Sequence, residues 1–308
     1  MSKSTISLMT LFEMYPDAEA ARLYLESRLW GERPICPHCK SGERVGAQPK
    51  VGFYRCNACI LDFTIRTGTI FERSHIPLHK WIYAMYLLVT ARKGISSLQL
   101  AKEIGVTQKS AWFMLQRLRE ACSAPDSRDK LKGIVEVDVA FVGGKEANKH
   151  ESKKLRAGRG SVGKTAVLGL RARDGETIAL PIEAETIETI QAAIHKNVEV
   201  GSQLYSDEHV AYADLDGLFF RHEAVNHSAG EYVRGMAGVN GVESVWAVLK
   251  RGLHGVYHQV STKHLHRYVD EFAFRLNAGK VARHTLDRLD SFVTSVVGKH
   301  ITYKELTA

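Results

Sequence analysis

Four cysteines and three acids carry most of the chemistry legible in this 308-residue chain. The cysteines form two pairs, Cys36-Pro-His-Cys39 and Cys56-Asn-Ala-Cys59, with 16 residues between the pairs. Two such knuckles at that spacing present four soft thiolates, the donor set that closes a tetrahedron around Zn²⁺ at about 2.3 Å per bond. A redox dithiol needs one pair, ideally opening a helix, whereas these lie in short β-prone sequence. Sulfur in all four positions leaves no place for a substrate, so the zinc expected here is structural. His38, between two ligands, reads as a solvent-facing filler. The fifth cysteine, Cys122, reads as a small buried apolar residue.

The acids offer harder donors. Asp138 interrupts the β-branched and aromatic run of VDVAFV, where a carboxylate costs free energy unless something positive or hydrogen-bonding meets it. Asp207 closes a second β-prone run, LYSD, and Glu243 falls on a helical pattern with 35 residues between it and Asp207. Lys250 follows Glu243 by seven residues, two turns along one helix face. Two strand-borne aspartates and a helix-borne glutamate can converge at one sheet edge. There they would hold two Mg²⁺ (or Mn²⁺) ions about 3.5–4 Å apart, one at the attacking and one at the leaving oxygen of a phosphodiester. Oxygen ligands suit these ions and not zinc.

The elements that must position these groups follow from patterning. Residues 1–30 read as an N-terminal helical segment, with a helix over 8–30, Pro16-Asp17 near its start, and Ala20, Leu23, Leu25 and Leu29 as its apolar stripe. Residues 31–72 read as the zinc ribbon and 77–122 as helical, and the turn-rich SAPDSRDKLKG separates them from a domain at 131–280. That domain alternates: strands in GIVEVDVAFVG, TAVLGLRAR and TIALPIEA, a helix in TIETIQAAIHKNVE, and a strand in SQLYSD. A short helix at 209–215, a strand at 219–225 and helices at 241–252 and 263–277 come next, with a C-terminal helical tail at 281–308. A three-strand meander followed by strand and helix alternation predicts a mixed α/β sheet covered by helices.

Within 77–122, Leu100, Ala101, Ile104, Val106, Ala111 and Met114 surround Gly105 at the spacings of a helix-turn-helix core, with Thr107 as the second helix's N-cap. That helix is expected to present Gln108, Lys109, Trp112 and Gln116 outward, with Arg117 and Arg119 available to phosphates. The segment KEANKHESKKLRAGRGSVGK holds seven Lys or Arg against two Glu, and its Lys153, Lys154, Arg156 and Arg159 read as DNA-backbone contacts. Its GSVGK lacks the spacing of a nucleotide-binding loop. His254, His258, His264 and His266 cluster after Glu243 in basic, aromatic sequence that suits nucleic acid. The net charge of +8 and pI near 9.2 favour a polyanionic partner. No apolar run approaches a membrane span and no secretory leader opens the sequence, so a cytoplasmic, nucleoid-associated location is expected.

The order zinc ribbon, helix-turn-helix, then Asp…Asp…Glu with a basic residue seven beyond resembles a prokaryotic insertion-sequence transposase of the DDE type. It is most similar to the group with an N-terminal zinc ribbon. The resemblance runs over residues 10–280 and is carried by VDVAFVGGKEANKH, YSDEHVAY, VNHSAGEYVRG and NGVESVWAVLKRGLHGVYHQVSTKHLHRYVDEFAFRLN. It implies a ribonuclease H-like catalytic domain and Mg²⁺-dependent strand cleavage and transfer on double-stranded DNA (the element's terminal repeats and a target). It also matches Asp138, Asp207 and Glu243 to the metal-binding acids and Lys250 to the downstream base. Because two ends are cut and joined together, the reaction implies a homodimer or higher oligomer on DNA. The group has a second acid directly after its first aspartate, where this chain has Val139; a neighbour in a strand faces the other way. Some members carry Asn as the third residue, and Asn240, one turn before Glu243, is the alternative ligand or a DNA contact. Two other readings are a zinc-ribbon transcription regulator, which needs none of the acids, and a ribonuclease H-like nuclease that cuts without joining.

Overall fold

The computed structural model describes residues 5–123, 128–144, 148–155, 161–173, 175–207, 212, 221–225, 238–280 and 282–308, with backbone alone at Lys153 and Val225. The chain divides into two compact units, Met1–Ser123 with Ala278–Ala308, and Ala124–Asn277.

The first unit opens with two helices where one was expected: α1 (Leu8–Met14) and α2 (Ala18–Trp30). Pro16 disfavours helical backbone at Tyr15, and Asp17 caps α2 by accepting the Glu19 and Ala20 N–H groups. The buried positions of α2 are Ala21 and Leu25, while Leu23, expected in the apolar stripe, is 54% exposed. An antiparallel meander follows, β1 (Val45–Ala47), β2 (Tyr54–Cys56) and β3 (Leu61–Phe63), then α3 (Leu78–Thr90), whose apolar residues are buried almost all round. Helices α4 (Ser97–Ile104) and α5 (Gln108–Cys122) meet at Gly105, whose φ of 62° is left-handed, and the Thr107 side chain caps α5. Leu100, Ala101, Ile104, Ala111 and Met114 are buried between and beneath them, as their spacing predicts.

The second unit is built on β4 (Ile134–Val142), β5 (Thr165–Ala172), β6 (Thr177–Ile182), α6 (Ile187–Asn197), β7 (Gln203–Asp207) and β8 (Arg221–Val225). Helix α7 (Asn240–Gly252) runs into a π-helical turn at Leu253–Tyr257, and α8 (Thr262–Leu276) follows. The sheet order is β6-β5-β4-β7-β8: β4, β5 and β6 form the antiparallel meander, and β7 and β8 lie parallel to β4. This is the ribonuclease H-like arrangement. Strand alternation sends Val135, Val137, Leu168, Leu170 and Leu204 to one face, where Ile190 and Ile194 of α6 cover them. Ala140 and Val167 point to the other, under Val242, Trp246 and Leu249 of α7 and Leu265 and Phe272 of α8. Of the expected helix at 209–215, only Tyr212 lies within the described residues.

Residues 278–308, expected as a separate tail, belong to the first unit. Helix α9 (Thr285–Thr294) buries Leu289, Phe292 and Val293, and α10 (Tyr303–Thr307) closes the chain with a Thr302–Glu305 capping box. Arg288 donates to the Val89 carbonyl at 2.7 Å and Tyr24 to Asp290 at 2.6 Å. Apolar side chains of this number need a covering partner, and α2 and α3 supply it. No helix among the described residues is long and apolar enough to cross a membrane.

Candidate active site

The parallel register pairs Ile134 with Gln203 and Glu136 with Tyr205. Two residues further along each strand stand Asp138 and Asp207, so both carboxylates come off one face of adjacent strands. Val139 packs against the α6 side, the opposite face. The position where the resemblance departs therefore adds nothing to the acid face.

Asp138 answers to two donors. The Trp246 indole N–H donates to its Oδ2 at 2.7 Å, and the Val139 backbone N–H to its Oδ1 at 2.8 Å. Each oxygen keeps a further lone pair, so the carboxylate is oriented without being saturated. Burial, and then the charges of Asp207 and Glu243, push the Asp138 carboxyl from 3.8 up to about 6, against the pull of the Trp246 hydrogen bond.

Trp246 reaches that oxygen because β5 leaves room. Gly169 lies directly across from Asp138, and a Cβ there would sit 2.5 Å from Trp246 Cζ2 and 2.9 Å from Val242 Cγ2. Gly169→Ala is accordingly expected to lift α7 off the sheet, at about 1–3 kcal/mol of stability, and to break the indole–Asp138 hydrogen bond. Chemical melting and the Trp246 emission measure both effects; an unchanged melt with unchanged emission would refute the packing account.

Glu243, Trp246 and Lys250 fall at i, i+3 and i+7 on α7, so one face carries all three. Glu243 and Lys250 are exposed, with Lys250 about 10 Å further along the axis. Asn240 is exposed in the first turn. Tyr212 is 1% exposed, and burial and then the charges of Asp207 and Asp138 push its hydroxyl upward, which makes it a neighbour of the acids.

The four ribbon cysteines gather with all ligand atoms within 4.8 Å, Cys36 and Cys59 at 3.6 Å and Cys39 and Cys56 at 3.5 Å. A tetrahedron with 2.3 Å bonds has edges of about 3.8 Å, so the set fits Zn²⁺, while a disulfide needs about 2.05 Å. Among the described residues no other group of His, Cys, Asp or Glu gathers this closely. His254, His258, His264 and His266 thus form no such cluster, and the three acids do not close to that distance, although Asp138 feels the charges of Asp207 and Glu243. That spacing is compatible with Mg²⁺, which takes one or two carboxylates and fills its shell with water and substrate phosphates.

The expected DNA contacts divide. Gln108 and Lys109 are exposed at the start of α5, Gln108 bonded to Ser97 and Lys109 4.8 Å over the Tyr303 ring. Trp112 is half-buried, edge-on to Tyr303. Gln116, expected outward, and Arg117, expected to be available to phosphates, both face inward, 0% and 3% exposed. Arg117 spends its guanidinium on the carbonyls of Ile70, Glu72 and Ile301, because the returning C-terminal segment covers that side of α5. Arg119 is buried as well. Lys154 pairs with Glu151 at 2.7 Å, and Arg156, Arg159 and the side chain of Lys153 lie outside the described residues.

Residues 130–277, nearly the whole second unit, match the family model described as the ISXO2-like transposase domain, and residues 16–61 match the transposase zinc-ribbon domain. A relative from Halobacterium salinarum, described as an uncharacterized protein in transposable element ISH50, is 32% identical over 280 residues, 87% of this chain and 93% of the relative. The chain belongs to the ISXO2-like insertion-sequence transposases. The transposase thus carries the zinc ribbon that its cysteines predict and the ribonuclease H-like domain that the resemblance implies.

Proton competition at the transposase's Asp138 has a sign. A carboxyl raised to about 6 in the folded protein stabilises the metal-free state below its unfolded value near 3.8, and that contribution is lost as pH rises through 6. Metal-free protein should therefore melt higher at pH 5 than at pH 7.5 by an amount that Asp138→Asn reduces. Mg²⁺-induced stabilisation should run the other way, fading as pH falls through about 6. A fade only near pH 4 would contradict the assignment of Asp138 as a ligand.

Proposed function

We propose that the transposase binds the terminal repeats of its element with the first unit and cuts and joins DNA strands with the second. The observation that carries this reading is the register of β4 and β7, which brings Asp138 beside Asp207 under a helix bearing Glu243. Asp138, Asp207 and Glu243 would hold Mg²⁺ or Mn²⁺, and the bound ions supply the Lewis acidity that activates the attacking oxygen and stabilises the leaving one. Trp246 and the Val139 N–H fix the Asp138 carboxylate in one rotamer. Lys250, two turns beyond Glu243, is set to meet a phosphate flanking the scissile bond. Water attacks first, and the freed 3′-hydroxyl then attacks target DNA, so no covalent enzyme intermediate and no nucleophilic side chain is required.

Gln108 and Lys109, exposed at the start of α5, would read the terminal repeat by exchanging their contacts to Ser97 and the Tyr303 ring for base edges. Lys153, Lys154, Arg156 and Arg159 would grip backbone phosphates. Joining two ends in one reaction calls for at least a dimer on DNA, and a chromosomal substrate places the enzyme at the nucleoid. The test is incubation of the full chain with terminal-repeat DNA, a target duplex and Mg²⁺, resolving nicked and joined products. Cleavage with joining supports the reading. Binding without cleavage points to a regulator, and cleavage without joining to a nuclease.

A further inference from the structure

Glu136 is 4% exposed, lies on the same face of β4 as Asp138, and takes no part in the reaction drawn above. Its Oε2 accepts the backbone N–H of Val242 at 2.9 Å, and its Oε1 accepts Arg173 Nε at 3.0 Å. Helix α7 has Val239 at its N-cap position and no side-chain cap of its own. An exposed helix start leaves its first N–H groups to water, but the Val239 and Val242 side of this one is buried. Glu136 supplies the missing acceptor from another element, and its negative charge lies at the positive end of the helix dipole.

The surrounding residues make the contact specific. Gly241 stands one residue before the donor, and a Cβ there would meet Glu136 Oε2 at 2.5 Å. Only glycine lets the helix start come this close to the carboxylate. Arg173 also donates to the Gly238 carbonyl at 3.2 Å and lies 4.9 Å over the Tyr205 ring, so it holds Glu136 and the chain entering α7 together. Arg171, the cross-strand partner of Glu136, donates to the Gly241 carbonyl at 3.0 Å and to Ser244 Oγ at 3.1 Å. Three side chains, one from β4, one from β5 and one from the residue just after β5, thus grip residues 238–244, and Glu243 is within the grip.

We propose that Glu136 is the positioning residue of the acid helix. As a cap donated by the strand that carries Asp138, it fixes the register of α7 so that Glu243 and Trp246 both address the Asp138 carboxylate. Two contacts define that register. Glu136 pins the first turn at Val242, and the Trp246–Asp138 hydrogen bond pins the second. One strand therefore places both the first acid and the third. The inference rests on the reading of Glu243 as a metal-binding acid.

Glu136→Ala and Glu136→Gln are compared with wild type for Mn²⁺ affinity by calorimetry without DNA, cleavage rate, half-saturating Mg²⁺ and terminal-repeat binding. Glu136→Ala is expected to weaken Mn²⁺ binding and cleavage by about 10–100-fold, the usual cost of losing a group that orients a ligand. Binding to the terminal repeat is expected to stay unchanged. Glu136→Gln keeps an acceptor for the Val242 N–H and should recover most of the loss. Wild-type Mn²⁺ affinity in a folded Glu136→Ala protein would overturn the proposal, as would equal loss in both variants. Should Glu136→Ala fail to fold, Gly241→Ala decides, because its Cβ drives the helix start from the carboxylate; wild-type Mn²⁺ affinity there also overturns the proposal. If wild type binds Mn²⁺ and neither cuts nor joins, the functional reading fails while the positioning role still stands on the calorimetry.

Discussion

Asp207→Ala is expected to bind terminal-repeat DNA as wild type does and to cut it more slowly by on the order of a thousandfold or more. The magnitude follows from the site's chemistry. Phosphodiester cleavage needs charge stabilisation at both the attacking and the leaving oxygen, and Asp207 would help hold the ions that supply it. Each 1.36 kcal/mol lost from the transition state costs tenfold, so about 4 kcal/mol, a modest figure for one metal ligand, gives three decades. The binding half of the prediction follows from where the residue lies. Asp207 ends β7 in the second unit, while Gln108 and Lys109 belong to the first. Glu243→Gln should lose a comparable factor, and Asn240→Ala much less, because a carboxylate offers a metal ion the charge that a neutral amide lacks. Cleavage that survives Asp207→Ala removes the residue from the site. Loss in Asn240→Ala together with activity in Glu243→Gln would transfer the third role to the amide.

Much of this candidate site is legible in the sequence. A carboxylate inside a β-branched run and an acid on a helix are anomalies of local pattern, and sequence displays local pattern directly. The mixed sheet under helices is legible too, since a meander followed by alternation admits few architectures. What could not be read was what each side chain meets. Trp246 looked like one more apolar residue of α7, because its partner is 108 residues away. Gly169 carried no signal until β5 was laid beside β4. Glu136 was the near miss: in VEVDV two acids alternate on one strand face, which a strand facing α7 would not tolerate without partners. Arg117 failed in the other direction. Helical spacing places it beside residues of the outward face, but the strand of chain around Ile301 returns from the far end of the sequence to cover it. Spacing along one helix gives faces; it does not say which face another segment will occupy.

Removal of zinc is expected to unfold the ribbon and abolish terminal-repeat binding. The ribbon's own core is small. Cys36, Cys56 and Phe63 are its buried cluster, with Trp30, Val45, Tyr54 and Cys59 packed partly against it. Burial of a handful of side chains at about 1.5–3 kcal/mol each is a small core for a segment of this length, and tetrathiolate zinc supplies about 10–16 kcal/mol of folding free energy in small domains. Local strain points the same way. Lys40 and Ile60, each following the second cysteine of a pair, hold left-handed backbone at φ of 63° and 61°, unfavourable for a β-branched residue unless its surroundings impose it. The Lys40 and Ile60 N–H groups donate back to the Cys36 and Cys56 carbonyls at 2.9 and 2.8 Å, so the two knuckles repeat one turn. Purified protein should contain one zinc per chain, and Cys36→Ser or prolonged chelation should collapse the dispersed amide resonances of residues 36–63. Cys122→Ala, with its sulfur buried elsewhere in the first unit, should keep the metal. Metal-free protein that retains those resonances and its DNA affinity would mean that the aromatic cluster of Trp30, Tyr54 and Phe63 is enough to hold the fold, and the four cysteines would need another explanation.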